Sequence, residues 1–500
     1  MKKSHYLFVG IVLCFLVAPL GYILGIKAHT PIYGVENIVE LPSLQNQSFL
    51  SKEFQKNFEE WWQSHYMLRT IFLKTKNQLY DIFNLGKIHS GFNETVIEGS
   101  DNYLYSRGYF LSYRHTCTAI PPEFNKIKEL KDIADKKNIS VYFVLAANKA
   151  VIYPQYIPSR YRFFYDNNCD YYNQIEQKLK EMGINVYNSQ KLLSSIAENE
   201  TYQPYNKTGT HWNYYGAGRV FQASAEMFNF GKIELRDIET RSQKYGTERD
   251  IADLLNLWIP YYPRQSFYRP VWQSEAFVKG KTAIIGNSFS NEYKINAEYS
   301  GIFENLSHYE NLPLSDKDCH NILNTDRIIF VYTDRAFLQA NHQFYQKIDR
   351  LIKNGKYLFR HKFSEKNEDI TTEGLSFYED WGRWSEGKSV KMTIKLPDIR
   401  HKHNLNLKIV FEAFPFLSGT HNQQKVIVKV NKKEKAVWFF EQRKASPDTS
   451  INLDLSEIKN KELHISFEID NPISPQELNS SIDDQRKLGI GFKTLSIQSD

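Results

Sequence analysis

A chain of 500 residues exceeds the size at which one hydrophobic core usually stops growing, so more than one domain is expected. Its content of 41% hydrophobic and 15% aromatic residues supplies ample material for packed cores. Lys and Arg number 63 against 57 Asp and Glu, a net charge of +6 without a strongly basic run. That balance argues against nucleic-acid binding, while local positive charge can still meet an anionic glycan.

Tyr6 to Gly25 is an uncharged, largely apolar run preceded by Lys2 and Lys3. Its length, about twenty residues, suffices to cross a hydrocarbon core as a helix, and the leading lysines place the N-terminus in the cytoplasm and the bulk of the chain outside. The run is long for a signal peptide and no clear Ala-x-Ala site follows, so residues 1–27 are expected to be a retained single-pass anchor in the inner membrane, with the rest periplasmic or extracytoplasmic. Cys14 lies in this run, which leaves Cys117, Cys169 and Cys319; a Cys117–Cys169 bridge is one pairing that spacing alone does not establish. Residues 28–90 read as a polar linker with Pro31 and Pro42, followed by a helical stretch in which Phe54, Phe58, Trp61, Trp62, Leu68, Ile71, Phe72, Leu79, Ile82 and Phe83 recur near helical spacing. Packing in a core or next to the membrane is the expected use of those side chains.

Residues 91–365 alternate helix and strand patterns. Helices are expected over Phe124–Lys137, Tyr171–Met182 and Gly216–Phe228, and short buried strands over Val141–Leu145, Ile184–Tyr187, Thr282–Ile285 and Arg327–Tyr332. This grammar predicts an α/β domain whose parallel sheet is flanked by helices, with its site outside the carboxyl ends of the strands. Asn148 and Ser288 both follow a predicted strand and would share that edge. Gly286 permits a sharp turn after Thr282–Ile285 that exposes the Ser288 hydroxyl, and His211, in Thr208-Gly209-Thr210-His211-Trp212-Asn213, is the candidate base.

Gly286-Asn287-Ser288-Phe289-Ser290 resembles the Gly-Asp-Ser-Phe motif around the nucleophile of SGNH-type esterases and acetyltransferases. In the alginate O-acetyltransferase-like branch, an Asp-x-His-Trp motif precedes the serine, as Gly209-Thr210-His211-Trp212 does here. Gly99-Ser100-Asp101-Asn102-Tyr103-Leu104-Tyr105 and Arg249-Asp250-Ile251-Ala252-Asp253-Leu254-Leu255 resemble further family segments, and the likeness spans roughly residues 50 to 340. It implies an SGNH-like fold in which Ser288 is acylated and His211 takes its proton. It also implies a polysaccharide substrate and an acyl donor supplied by a membrane-bound O-acyltransferase; no cofactor is called for.

The chain departs from the motif at Gly209, where the family carries the aspartate that orients the histidine. Replacing such a carboxylate in a serine protease costs about 10⁴ in turnover. Three readings follow: another carboxylate among Asp250, Asp253, Glu292 and Asp334 takes the place, a backbone carbonyl holds the ring, or the site is inactive and the protein binds glycan. The Ser288 N–H at a helix start offers an oxyanion donor. Asn148 can add its amide or simply form a turn, and Lys149 and Arg335 can hold an anionic sugar or be ordinary surface charges. No metal-ligand spacing is present; His401 and His403 read as a solvated pair.

Over residues 366–500 the pattern changes to short alternating strands, Val390–Leu396, Leu405–Phe411, Lys425–Val430, Ala436–Phe440, Ile451–Leu455 and Leu463–Ile469, which predict a β-sandwich. Trp381-Gly382-Arg383-Trp384-Ser385, Pro472-Ile473-Ser474-Pro475 and Asp484-Gln485-Arg486-Lys487-Leu488-Gly489-Ile490-Gly491 make this portion similar to the β-rich C-terminal domain of some bacterial envelope glycerophosphotransferases. Trp381 and Trp384 are candidate sugar platforms or core residues. The sequence thus leads to the expectation of an extracytoplasmic O-acyltransferase, most simply an O-acetyltransferase, on an envelope or exported polysaccharide. A carbohydrate acetylesterase and an inactive glycan-binding protein are the alternatives.

Overall fold

The computed structural model describes residues 51–65, 68–83, 96–111, 119–162, 170–241, 247–259, 266–275, 277–310, 313–396, 407–454, 457–458 and 460–499, with scattered positions among the first 42. Most of Tyr6–Gly25, both Cys117 and Cys169, and His401 and His403 lie outside the described residues. Among the described residues no helix is long and apolar enough to cross a membrane. Cys319 is a buried free thiol. Two compact units divide at residues 349 and 350, earlier than the boundary expected at 365/366. The difference arises because the strand Tyr357–Lys362, which the sequence reading did not single out, pairs with Leu488–Ser499 in the second unit.

The first unit is built on five parallel strands, β1 (Ser140–Leu145), β2 (Asn185–Asn188), β3 (Val278–Gly286), β4 (Phe303–Tyr309) and β5 (Arg327–Tyr332), in the order β2–β1–β5–β3–β4. In the central strands, Phe143, Val144 and Leu145 of β1, Ala283, Ile284 and Ile285 of β3, and Ile328 to Val331 of β5 are fully buried, as expected of a parallel sheet covered on both faces. β4 is one of the two edge strands, and its sequence Phe-Glu-Asn-Leu-Ser-His-Tyr alternates too weakly to be read as a strand. Because β1, β5 and β3 are adjacent and in register, with Leu145 opposite Tyr332 and Gly286 opposite Val331, the segments that leave them converge on one edge. Asn148, Asp334 and Ser288 all lie just beyond it.

The second unit is a β-sandwich. One sheet orders Tyr357–Lys362, Leu488–Ser499, Leu407–Pro415 and Ser450–Leu453, with Arg383–Glu386 also pairing Leu488–Ser499. The other orders Ile370–Glu373, Ser389–Lys395, Glu462–Ile469, Gln423–Val430 and Lys433–Glu441. All these pairings are antiparallel, and inward residues such as Val390, Met392 and Ile394, or Val426, Val428 and Val430, alternate with outward polar ones to form one core around Phe411, Trp438, Phe467 and Phe492.

Candidate active site

β3 ends at Gly286, and the helix Ser290–Ser300 begins four residues later. A Cβ on Gly286 would stand 2.2 Å from the Ser290 Cβ, so only glycine lets the chain turn this tightly. Within the turn the Asn287 side chain accepts from the Phe289 N–H (3.2 Å), and the Ser290 N–H and hydroxyl both donate to the Asn287 carbonyl (2.8 and 2.7 Å). The His308 ring Nε2 lies 2.7 Å from the Ser290 hydroxyl, whose own hydrogen is used on Asn287, so this histidine donates and braces the turn from behind. Lys347, 3% exposed, donates to the carbonyls of Gly286 (3.1 Å) and Glu310 (2.8 Å); burial pushes its pKa down to about 8. The Ser288 N–H has no acceptor among the described residues, and it stands where a helix start favours negative charge.

The candidate base, His211, lies on the loop before the helix Tyr214–Met227, which Asn213 caps by accepting from the Gly216 N–H (2.8 Å). Tyr205 and Trp212 form an antiparallel bridge that pinches this loop. Trp212 is fully buried and donates its Nε1–H to the Phe289 carbonyl (3.0 Å), which fixes the residue after the base to the residue after the nucleophile. His211 Nε2 lies 2.7 Å from the Ser288 hydroxyl oxygen.

Asp250 supplies the carboxylate. Its Oδ2 lies 3.0 Å from His211 Nδ1, while Oδ1 accepts from the backbone N–H groups of Thr210 (2.6 Å) and Ile251 (2.9 Å). The Oδ2 atom stands off the Nδ1–H axis, so in the resting geometry the contact is a close electrostatic one rather than an aligned hydrogen bond, a slackness that often tightens when substrate binds. The pairing favours the tautomer with its proton on Nδ1 and leaves Nε2 to accept from Ser288. Burial presses the His211 pKa down, but Asp250, with smaller contributions from Glu292 and Glu310, outweighs it and raises the value.

Gly209 is explained by the same contact. A Cβ there would meet the Glu248 carbonyl oxygen at 2.7 Å, because residues 247–252 pack directly against the loop. The Ala252 N–H donates to the Thr208 carbonyl (3.1 Å) and the Thr208 hydroxyl to the Glu248 carbonyl (3.3 Å). The segment that excludes a side chain at position 209 is the one that delivers Asp250.

The other carboxylates serve elsewhere. Asp253 accepts from Arg249 (3.0 Å). Glu292 is buried, accepts from the Thr247 hydroxyl (2.5 Å) and is raised in pKa by burial. Asp334 accepts from the Tyr172 hydroxyl (3.0 Å) and the Asn148 amide (3.2 Å). Asn148 caps the short helix Lys149–Ile152 through its side-chain oxygen, accepting from Ala150 and Val151, and its amide lines the same cleft as Ser288.

Lys149 does not face solvent, and the expectation that it holds an anionic sugar is corrected. It is fully buried, and the N–H groups of its ammonium are shared among the carbonyls of Leu104 (2.9 Å), Asn206 (2.6 Å), Lys207 (2.8 Å) and Gly209 (2.9 Å), with the Tyr103 and Tyr105 rings about it at 5.4 and 5.7 Å. Burial lowers its pKa, against the field of Asp250. It fastens the loop that carries His211. A lysine directly after a strand gives no sign of this in the sequence, and Lys347, within a helix, gave none either.

Arg335 is exposed and lines a cleft of about 220 Å³ together with Tyr109, Asn148, His211, Ser288 and His342. Burial, followed by the positive charge of Arg335, pushes His342 down to about 4, so it is neutral at ordinary pH. In the second unit, Trp381 and Trp384 are half-buried and outside the sandwich core. Their ring centroids are 5.1 Å apart, and both pack on Phe414, at 4.9 and 5.1 Å.

A Ser–His–Asp constellation at the carboxyl edge of a parallel sheet defines a class of acyl-transferring and acyl-hydrolysing folds. Residues 96–298 match the family model described as "SGNH hydrolase-like domain, acetyltransferase AlgX". Over these residues the chain is similar to the alginate O-acetyltransferase-like family that its motifs resemble. Residues 351–499 match "Domain of unknown function (DUF7024)", which assigns no activity to the sandwich. Among solved structures, AlgX of Pseudomonas aeruginosa is 16% identical with a TM-score of 0.38, covering 85% of this chain and 98% of that one. The O-acetyltransferase domain of Pseudomonas putida AlgJ is 14% identical with a TM-score of 0.36, covering 52% and 98%. PatB1 of Bacillus cereus is 12% identical with a TM-score of 0.34, covering 50% and 98%. At such scores these likenesses carry no argument about this chain. No curated protein matches it.

Proposed function

We propose that this protein is an extracytoplasmic, membrane-anchored O-acyltransferase, transferring acetyl groups to a cell-envelope or exported polysaccharide. The observation that carries the reading is the run of contacts from Asp250 through His211 to Ser288, at 3.0 and 2.7 Å. The Ser288 oxygen attacks the acyl carbonyl carbon of the donor while His211 Nε2 takes the hydroxyl proton. The tetrahedral oxyanion is met by the Ser288 N–H, with the Asn148 amide in the same cleft. Collapse expels the donor's leaving group, which receives the proton from His211. A sugar hydroxyl then attacks the acyl-serine carbonyl while His211 takes its proton, and collapse breaks the bond to Ser288, whose oxygen recovers the proton from His211 as the sugar ester leaves.

A membrane-bound O-acyltransferase, which the family resemblance implies, fits the role of acyl supplier. Arg335 gives the cleft a positive rim suited to an anionic acceptor or donor group. Trp381 and Trp384, half-buried beside Phe414, are suited to stacking on sugar rings. Gly209 is the main ground for the inactive glycan-binding alternative, and the Asp250 carboxylate 3.0 Å from His211 supports the enzyme reading over it.

The test is intact-mass analysis of the protein after exposure to an activated acetyl ester, with Ser288→Ala in parallel. An acetyl adduct in the wild type that is absent from Ser288→Ala supports the acyl-enzyme; no adduct at concentrations that reveal a single turnover overturns it. Adding oligosaccharide then separates transferase from esterase, because only the transferase discharges acetyl onto sugar faster than onto water.

A further inference from the structure

The helix Leu68–Phe83 is packed with its polar side inward. Thr70, Lys74, Asn77 and Gln78 are buried, while Ile71, Leu79, Ile82 and Phe83 are exposed, the last two by 60% and 63%. The orientation is not a loose association. The Asn77 amide donates to the Leu255 carbonyl (2.8 Å), the Ile259 N–H donates to the Gln78 side chain (2.8 Å), and Tyr80 packs on the cluster of Val96, Leu104, Ile251 and Leu255. Beside the exposed arc stand Trp258 and Ile259, 43% and 68% exposed, and Trp258 donates its indole N–H to the Thr75 hydroxyl (3.0 Å). The indole donor is thus satisfied, the Lys74 ammonium lies over the ring at 5.6 Å, and the part of the ring left exposed adds to the apolar surface. A contiguous apolar surface of this kind on a folded domain marks a contact with something apolar.

Three features select a lipid bilayer as the occupant. Positions 71, 79, 82 and 83 lie on one side of the helix, with the exposed basic residues Arg69 and Lys76 together along one border and the exposed Asp81 toward the other; the basic border suits a helix that lies in the interface plane against anionic headgroups. Tryptophan prefers that same boundary. The uncharged Tyr6–Gly25 run ends not far ahead of the helix in sequence, and a chain tethered by it would hold this face near a membrane at high effective concentration, so modest affinity suffices. We infer that the face made by Ile71, Leu79, Ile82 and Phe83, together with Trp258 and Ile259, rests on a lipid bilayer at the headgroup–acyl boundary. The inference stands apart from which reaction the Ser288 site performs.

The experiment uses the full chain reconstituted into phosphatidylcholine/phosphatidylglycerol vesicles, with and without bromine on the acyl chains near the headgroups. Bromine quenches tryptophan on contact, and subtracting the signal of Trp258→Phe isolates Trp258 from the other seven tryptophans. The expected result is a loss of emission in the wild type that Trp258→Phe does not show. It should shrink in the Ile82→Ser/Phe83→Ser double variant, whose changes are on exposed positions, and in vesicles of phosphatidylcholine alone. Equal losses in wild type and Trp258→Phe overturn the inference. Acrylamide then names the alternative: quenching of Trp258 means a face left in water, and shielding from both quenchers means a protein surface, its own or another's, in place of lipid.

Discussion

Asp250 Oδ2 stands 3.0 Å from His211 Nδ1, on a segment whose backbone fills the space that a side chain at position 209 would need. A carboxylate from outside the segment Thr208–Asn213 thus stands against the ring. Since Asp250 Oδ1 is held by two backbone N–H groups, the carboxylate is positioned by the loop it serves.

Asp250→Asn preserves the shape of the side chain and removes its charge. Turnover of an activated acetyl ester should fall by a factor on the order of 10³ to 10⁴, with KM little changed, in line with loss of the corresponding carboxylate elsewhere. The pH profile provides a second reading. In the wild type, activity should rise with pH through a value above the ordinary histidine 6.5, because His211 is raised and only its neutral form accepts a proton. Without Asp250, burial dominates and that rise should move to lower pH.

Gly209→Asp recreates the family motif and should nonetheless reduce activity. Its Cβ would stand 2.7 Å from the Glu248 carbonyl oxygen, so residues 247–252 must retreat and take Asp250 with them. Kinetics and thermal unfolding of the variant check this; an active, equally stable Gly209→Asp would show that the segment yields freely.

Lys149→Met leaves the carbonyls of Leu104, Asn206, Lys207 and Gly209 without their shared donor. At ~1–3 kcal/mol for a buried polar group left unsatisfied, urea unfolding should show a loss of several kcal/mol. Lys149→Arg should not restore the parent stability, since a fully buried site has no room for a guanidinium.

Stability should decline between pH 5 and pH 9 through buried carboxyls. Burial raises Glu248 from the ordinary 4.5 to about 8 and also raises Glu292, so the folded protein holds protons that the unfolded chain releases. That contribution is complete below pH 4.5 and is lost as pH rises through about 8. Glu248→Gln should flatten the slope in urea titrations across this range.

How much of this was legible in the sequence depends on which contacts are local. Ser288 and His211 could be named because each sits in a motif whose neighbours have local tasks: Gly286 for the turn, Asn213 for the helix cap, Trp212 for the packing. Asp250 was one of four carboxylates and could not be singled out, because its place is set by pairings between residues 208–210 and 248–252, which leave no pattern in either segment. Lys149 was misread for a related reason: nothing next to it in sequence shows that four carbonyls from two other segments close around it. The strands β1, β3 and β5 announced themselves as apolar runs, while the edge strand β4, half-exposed and polar, did not. In the sandwich the alternating strands were readable, but Leu488–Ser499, with Gly489 and Gly491 near its start, lacked a clean alternation at the point where it pairs with three partners.

The hydrogen bond from Trp212 to the Phe289 carbonyl joins the two turns that hold base and nucleophile, and the indole that makes it is wholly removed from water. A separation of the turns would wet or reorient that ring before it parted His211 from Ser288. The protein therefore carries an optical gauge at the joint of its own machinery: the Trp212 emission, isolated by difference against Trp212→Phe, reports the integrity of the site in the absence of any substrate.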